Sequence, residues 1–68
     1  MTTETIAVKG MTCQGCVNSV TKALQSVTGV HRTQVDLEGQ QATVTFDESI
    51  TTVADLKQAV EDAGYDTV

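Results

Sequence analysis

The sequence predicts an α+β fold in which strands and helices follow the order β-α-β-β-α-β. Three observations support this class: the apolar spacing switches between every second residue and every third or fourth, glycines follow both helical segments, and no linker or low-complexity stretch interrupts the 68 residues. This order closes into a four-stranded antiparallel sheet with two helices on one face, a ferredoxin-like sandwich. At this length we expect a single domain, residues 1–68, with little stability to spare.

Strands are predicted where apolar and polar residues alternate. The first covers Thr3 to Val8, the second His31 to Leu37, and the third Gln41 to Asp47. Residues 38–40 form the turn that joins the second and third strands as a hairpin, and residues 66–68 form a very short last strand. The expected inward-facing positions are Ile6, Val8, Val35, Leu37, Ala42, Val44 and Phe46.

Helices are predicted where apolar residues recur at steps of three and four. The first runs from residue 14 to residue 26 or 27, and Gly29 ends it as a left-handed cap. The second begins at residue 51 or 52, where a threonine hydroxyl can cap the helix and Asp55 lies in the favourable first turn, and Gly64 ends it. The expected apolar stripes are Val17, Val20, Leu24 and Val27 in the first helix and Val53, Leu56, Val60 and Ala63 in the second.

The only two cysteines lie in the heptapeptide Gly-Met-Thr-Cys-Gln-Gly-Cys, residues 10–16, between the first strand and the first helix. Helix neighbours three residues apart have Cβ atoms roughly 5–6 Å apart. A linear sulfur–metal–sulfur unit needs its sulfurs about 4.6 Å apart if each bond is near the 2.3 Å of a zinc thiolate. The spacing of Cys13 and Cys16 therefore suits a two-coordinate soft metal ion, and the helix amino terminus favours their thiolate forms.

Composition excludes several classes of function. Nine acidic residues against four basic ones give a net charge of −5, and the only aromatic residues are Phe46 and Tyr65, so no nucleic-acid partner is expected. The amino terminus lacks the basic and apolar regions of a signal peptide, and no segment is long enough to span a membrane. We therefore predict a cytoplasmic protein without membrane insertion, in which the cysteine pair binds metal or takes part in redox chemistry.

The predicted topology decides which distant residues can approach the cysteines. The loop after the first strand, the hairpin turn at Gly39 and the loop after the second helix lie at the same end of such a sheet. Tyr65 should therefore approach the cysteines. His31, the only imidazole, should not, because a strand of about seven residues separates it from that end by roughly 23 Å.

With these features the chain resembles the heavy-metal-associated domain family, and in particular the free-standing bacterial copper chaperones of the CopZ type. The resemblance rests on the Gly-Met-Thr-Cys-x-x-Cys loop, the Gly29-Val30 pair after the first helix, and the Ala63-Gly64-Tyr65 ending. It implies a protein that is not an enzyme and that binds one cuprous ion, Cu(I), through Cys13 and Cys16. The implied partners are the metal-binding domains of a copper-transporting P-type ATPase, a copper-responsive repressor, and a second copy of the chain in a metal-linked homodimer.

Three neighbouring residues are expected to support this site. Met11 is interpreted as a core plug that anchors the loop, with a third, thioether ligand as the alternative. Thr12 is predicted to cap the first helix, with a residue that only fills the loop as the alternative. Tyr65 is predicted to influence the metal through its hydroxyl or its bulk, unless it only packs at the helix end.

The chemistry of the donors favours reduced copper, because two soft thiolates satisfy a d10 ion that tolerates low coordination, whereas zinc prefers four ligands. A mercury-binding scavenger shares the fold and motif, although its periplasmic form would need a signal peptide. A metal-binding domain cut from the amino terminus of a P-type ATPase is a further alternative. A thiol–disulfide oxidoreductase is disfavoured, because its motif usually has Trp before it and Pro inside it, and this chain contains neither residue type.

Overall fold

The structure, a computed structural model, describes residues 1–67, and Val68 of the predicted last strand lies outside the described residues. The predicted order of elements and the α+β ferredoxin-like class are confirmed, and the predicted ends differ from the observed ones by one or two residues. The elements are β1 (Thr2–Lys9), α1 (Gln14–Gln25), β2 (Val30–Asp36), β3 (Gln41–Phe46), α2 (Val53–Asp62) and β4 (Asp66–Thr67).

The four strands form one antiparallel sheet in the order β2-β3-β1-β4. Val30, at the start of β2, pairs with Phe46, at the end of β3. At the opposite end Ala7 pairs with Gln41, and Lys9 pairs with Asp66 of β4. The end of β1, the β2–β3 turn and the start of β4 therefore lie together, as the topology predicts.

The hydrophobic core lies between the sheet and the two helices. Alternate residues of β1 and β3 face it, because side chains of a strand point to opposite faces in turn. Met11, in the loop between β1 and α1, belongs to the same cluster and is 4% exposed. The buried residues are Ile6, Val8, Met11, Val20, Leu24, Ala42, Val44, Phe46, Leu56 and Val60.

Several residues predicted in the core lie at its margin instead. Ala63 is exposed, because α2 ends at Asp62 and Ala63 is the residue that caps its carboxyl end. Leu37 belongs to the turn rather than to β2, and its side chain is half-buried. The predicted core residues that pack only partly buried against the cluster are Val17, Val27, Val35, Leu37 and Val53.

The two glycines predicted to end the helices behave differently. Gly64 has φ +97° and follows the last residues of α2, where its N–H donates to the Glu61 carbonyl and that of Tyr65 donates to Val60. This is the predicted left-handed cap in its Schellman form. Gly29 also has a left-handed φ of +99°, but α1 has already ended with Ser26 as its cap. The prediction that Gly29 caps the helix is therefore wrong. Gly29 is instead the last residue of the connection between α1 and β2.

The amino termini of the two helices contrast. Thr52 caps α2 in a reciprocal capping box: its hydroxyl accepts from the Asp55 N–H, and the Asp55 carboxylate accepts from the Thr52 N–H. The hydroxyl of buried Thr51 also donates to Asp55. By contrast, α1 has Cys13 at its cap position, no side-chain cap and no acidic residue in its first turn. Only α2 therefore has its first-turn amides satisfied in the usual way.

One buried hydroxyl allows a prediction about stability. Thr33 lies in β2 opposite Val44, and its buried Oγ1 has no hydrogen-bond partner among residues 1–67. Because an unsatisfied buried polar group is costly, we expect Thr33→Val to raise the free energy of unfolding by about 1 kcal/mol in a denaturant titration.

Thr43→Val is the matched control, because the Thr43 hydroxyl already bonds that of Thr5 at 3.3 Å. This substitution should give no comparable gain. Equal gains from both variants would show that β-propensity, and not the unpaired hydroxyl, is responsible.

Candidate metal centre

The loop between β1 and α1 is anchored by its buried second residue. Gly10 follows β1 in a left-handed conformation, with φ +97°. A Cβ atom at this position would lie 3.9 Å from Tyr65 Cδ1, so the tyrosine ring covers the start of the loop. Met11 then enters the core, and Cys13 takes an extended conformation at φ −156° directly before α1. The core thus holds the loop while the cysteines stay near the surface.

The two thiols lie side by side. Cys13 Sγ and Cys16 Sγ are 3.7 Å apart, and both cysteines are free. This distance is longer than the roughly 2.05 Å of a disulfide. It is shorter than the separation of about 4.6 Å expected for two collinear bonds of 2.3 Å. A linear site therefore needs the sulfurs to separate slightly, and Cys13 has the freedom to do so because it is exposed, whereas Cys16 is half-buried.

The prediction that Thr12 caps the first helix is wrong. Cys13 occupies the cap position, so Thr12 lies one residue outside the helix. Its hydroxyl is instead 3.8 Å from Cys16 Sγ, close enough for a weak hydrogen bond to sulfur. Because no side chain caps the first turn of α1, the positive end of the helix dipole is left facing the thiols.

Polar groups around Cys16 lower the pKa of its thiol from 9.0 to about 6. The largest cause is the backbone amide of Thr12, followed by the hydroxyls of Tyr65 and Thr12 and the backbone amide of Cys13, while burial acts in the opposite direction. Cys16 in turn raises the pKa of Tyr65. At neutral pH Cys16 is therefore largely a thiolate, the form that binds soft metals.

The Tyr65 hydroxyl influences Cys16 as a hydrogen-bond donor to its thiol, although the pair does not meet standard hydrogen-bond geometry. Within residues 1–67 the hydrogen bonds of standard geometry made by the thiols join them to each other and to Thr12. The ring of Tyr65 is half-buried against the core, where its hydroxyl still lowers the pKa of Cys16. The predicted approach of Tyr65 to the cysteines is confirmed.

The structure separates the other candidates from the site. The Met11 side chain is in the core, as expected of a plug. His31 is exposed near the start of β2, at the end of the sheet where Asp47 follows β3. The hydroxyl and backbone amide of Ser49 are the main causes that lower the pKa of Asp47, and His31 makes a smaller contribution. Among residues 1–67 no group of three or more His, Cys, Asp or Glu side chains could hold a metal ion. Within the described chain, the cysteine pair is thus the candidate site.

Gln40 is a site residue that the sequence analysis missed. It lies in the β2–β3 turn, and its side-chain Nε2 donates to the carbonyl of Met11 at 2.8 Å. It also has a left-handed φ of +51°, although it is not a glycine. No sequence signal distinguishes this glutamine from its exposed neighbour Gln41.

None of the helices within residues 1–67 has the length and apolar content needed to cross a membrane.

The lowered pKa of Cys16 predicts how stability depends on pH. Between about 6 and 9.0 the folded thiol is ionised while the unfolded thiol keeps its proton, so unfolding takes up a proton. The free energy of unfolding of the reduced, metal-free protein should therefore rise with pH across this window and lose the contribution as pH falls through 6. Thermal denaturation at a series of pH values should show this rise, and Cys16→Ser should reduce it.

Titration of the thiolate absorbance gives a direct check on the same pKa. Tyr65→Phe should move the Cys16 titration to higher pH, because the tyrosine hydroxyl is the second-largest cause of the lowered pKa of Cys16. His31→Ala is the control and should leave the titration unchanged. A Cys16 titration near 9 in the unmodified protein would contradict the polar environment described above.

Comparison with known proteins agrees with this arrangement. The family model of the heavy-metal-associated domain matches residues 5–66. The copper chaperone CopZ of Staphylococcus aureus is 41% identical over 68 residues, which is the whole of both chains. The periplasmic component of the mercuric transport protein of Salmonella typhi is 49% identical over 63 residues, covering 93% of this chain and 69% of that protein.

Superposition on a solved structure gives the same result. The copper-binding domain of HMA7, a P-type ATPase, superposes with a TM-score of 0.98 at 40% identity, covering 100% of this chain and 92% of that one. The named relatives include proteins associated with copper and a protein associated with mercury. They share one family, but they do not share one metal. The fold, the Cys-x-x-Cys loop and the family match over residues 5–66 together establish that this chain belongs to the heavy-metal-associated domain family.

Proposed function

We propose that the protein is a copper chaperone that binds one Cu(I) ion through Cys13 and Cys16 and passes it to a partner by thiolate exchange. The observation that carries the proposal is the thiol pair itself. The two sulfurs are 3.7 Å apart at a helix terminus without a side-chain cap. One of the two, Cys16, has its pKa lowered to about 6.

The donor set supports copper over metals that need more ligands. Thiolates are soft donors and favour Cu(I), which accepts low coordination, whereas a structural zinc site has four ligands. The described chain offers no third His, Cys, Asp or Glu beside the pair. The exposure of Cys13 leaves room for an incoming thiolate, so the ion can pass to a partner without being released into water.

Similarity to copper proteins supports the proposed partner. The chain aligns over its whole length with a copper chaperone and superposes on the copper-binding domain of a P-type ATPase. We therefore propose that the recipient is the metal-binding domain of a copper-transporting P-type ATPase, and that exchange occurs in the cytoplasm, where thiols stay reduced. A copper-responsive repressor, a metal-linked homodimer and a place within an ATPase chain stay predictions from resemblance.

Mercury is the second candidate, because the mercuric transport component is 49% identical to the matched residues. Mercuric ion also favours two thiolates, so binding alone cannot separate the two functions. Transfer can separate them. A copper chaperone should pass Cu(I) to a soluble metal-binding domain of a copper ATPase, and deletion of its gene should alter copper tolerance but not mercury tolerance. The opposite phenotype would favour the mercury function.

Substitution of the cysteines tests the binding site. The reduced protein should take up one Cu(I) per chain in the presence of a competing cuprous chelator, and Cys13→Ser and Cys16→Ser should each abolish uptake, because one thiolate cannot hold the ion against the chelator.

His31→Ala is the matched control at the far end of the sheet, and it should leave the affinity within a factor of about three, or roughly 0.7 kcal/mol. Unchanged affinity in either serine variant would remove that cysteine from the ligand set. A tenfold loss in the His31 variant, about 1.4 kcal/mol, would show that the ligand set is incomplete.

The carboxyl-terminal end of α2 provides an electrostatic basis for partner docking. The acidic residues on or just after α2 are Asp55, Glu61, Asp62 and Asp66. Asp55 lies in the first turn, where the capping box engages it, so we define the acidic face as the other three. Glu61 and Asp62 lie in the last turn of α2, which contains no basic residue. The negative end of the helix dipole disfavours carboxylates at these positions. Each nevertheless accepts a hydrogen bond, Asp62 from the side chain of Gln58 and Glu61 from that of Thr67. Glu61 and Asp62 lie four and three residues before Tyr65 in the chain.

The acidic face predicts that Cu(I) transfer depends on salt. Reversal of Glu61 and Asp62 to Lys should slow transfer to a basic recipient at low ionic strength, because it removes electrostatic steering, and should not change copper affinity. Reversal of Glu4 and Glu48, which are exposed towards the opposite end of the sheet from the metal loop, makes the same change in net charge and should slow transfer less. Equal transfer rates in stopped-flow measurements on the two variants would assign the acidic face no role in recognition.

A further inference from the structure

Gln40 connects the metal loop to the β2–β3 turn through its side-chain amide. The Nε2 atom donates to the carbonyl of Met11 at 2.8 Å and to the carbonyl of Leu37 at 2.8 Å. The backbone carbonyl of Gln40 also accepts from the N–H of Val8 at 2.8 Å. One residue of the turn therefore contacts both the end of β1 and the loop that follows it.

The chemistry of the amide group fits these two acceptors. A primary amide carries two N–H donors on one nitrogen, and here each donor has its own carbonyl. A carboxylate of the same shape has no donor, and an aliphatic side chain of similar length has none either. Asparagine carries the same group but is one methylene shorter, so it cannot follow the same path from this backbone position to Met11.

The backbone of Gln40 is held in an unfavourable conformation. Its φ of +51° lies in the left-handed region, which glycine occupies without steric cost and glutamine does not. Gly39, directly before it, does not have a positive φ, so the turn uses a glutamine at the position where glycine would be easier. Observed strain of this kind points to a constraint on the side chain.

We propose that Gln40 is a positioning residue that holds the cysteine loop in place by fixing the Met11 carbonyl to the β2–β3 turn. The inference rests on the proposed function for the role of the loop, but the contact itself is independent of metal. Met11 is two residues before Cys13, and its side chain already fixes the loop through the core. The amide fixes the backbone at the same point, so loop and hairpin turn behave as one unit.

Hydrogen exchange of the reduced, metal-free protein tests this directly. The amides of Cys16 and Val17 both donate to the Cys13 carbonyl and report on the start of α1. In Gln40→Met these amides should exchange about tenfold faster, because the loop opens more readily without the hydrogen bond to the Met11 carbonyl. Amides of α2 that exchange by local opening should change little, and the free energy of unfolding should fall by no more than the same tenfold change, about 1.4 kcal/mol. A uniform acceleration over the whole chain, or none, would overturn the proposal.

Two further variants keep the test decisive. Gln40→Gly removes the side chain and relieves the left-handed strain, so the fold is retained even if methionine is not tolerated. It should release the same loop amides. Gln34→Met makes the same chemical change at an exposed position of β2 and should leave them unchanged. If Gln34→Met also accelerates loop exchange, the effect is not specific to Gln40 and the proposal fails.

Copper exchange provides the functional readout. If Gln40 positions the thiols, Cu(I) should leave Gln40→Met for a competing chelator about tenfold faster than it leaves the unmodified protein. Unchanged copper release with faster loop exchange would show that the contact orders the loop without positioning the thiols. If the unmodified protein bound no Cu(I), the proposed function would fail, while the exchange data would still decide whether Gln40 holds the loop.

Discussion

The central constraint in this protein is that one short loop must bury its second residue and expose its fourth. Met11 is 4% exposed, and Cys13, two residues later, is exposed at the surface. Gly10 makes this possible, because its left-handed φ turns the chain from β1 into the core before it emerges again at α1. The cysteines are therefore presented by a loop that the hydrophobic core holds, and a mobile surface loop would not keep two sulfurs 3.7 Å apart.

The two helix termini show how the same fold separates structural stability from chemical reactivity. Thr52 and Asp55 satisfy the first turn of α2 with a complete capping box. The first turn of α1 has neither a side-chain cap nor an acidic residue. An acidic residue there would neutralise the positive end of the dipole and oppose ionisation of the neighbouring thiol. The absence of a side-chain cap thus lowers the local stability of α1 and favours the thiolate form of the neighbouring cysteine. Such a loss of stability is expected where a helix terminus forms part of a site.

Periodicity, with the topology that it implies, was sufficient to predict the elements, the antiparallel sheet and the approach of Tyr65 to the cysteines. The errors concern residues whose role depends on a local register or on a distant contact. Thr12 was predicted as a cap because threonine favours that position, but α1 begins one residue later than this role requires. Gln40 could not be predicted, because its two acceptors come from different parts of the chain and its left-handed backbone is unusual for glutamine. Gly29 has the left-handed backbone conformation expected of a cap, but it lies three residues beyond Ser26, the residue that caps α1.

The positions of the two thiols also differ in a way that bears on transfer. Cys16 lies within α1, half-buried and beside the polar groups that stabilise its thiolate, so its sulfur has little freedom to move. Cys13 lies before the helix in extended backbone and is exposed. Because the metal-free sulfurs are closer than two collinear bonds of about 2.3 Å allow, a linear site would require one of them to move outward, and Cys13 is the more exposed of the two. In the proposed role, the bond to Cys13 is then the more accessible to an incoming thiolate, while Cys16 retains the ion until exchange is complete.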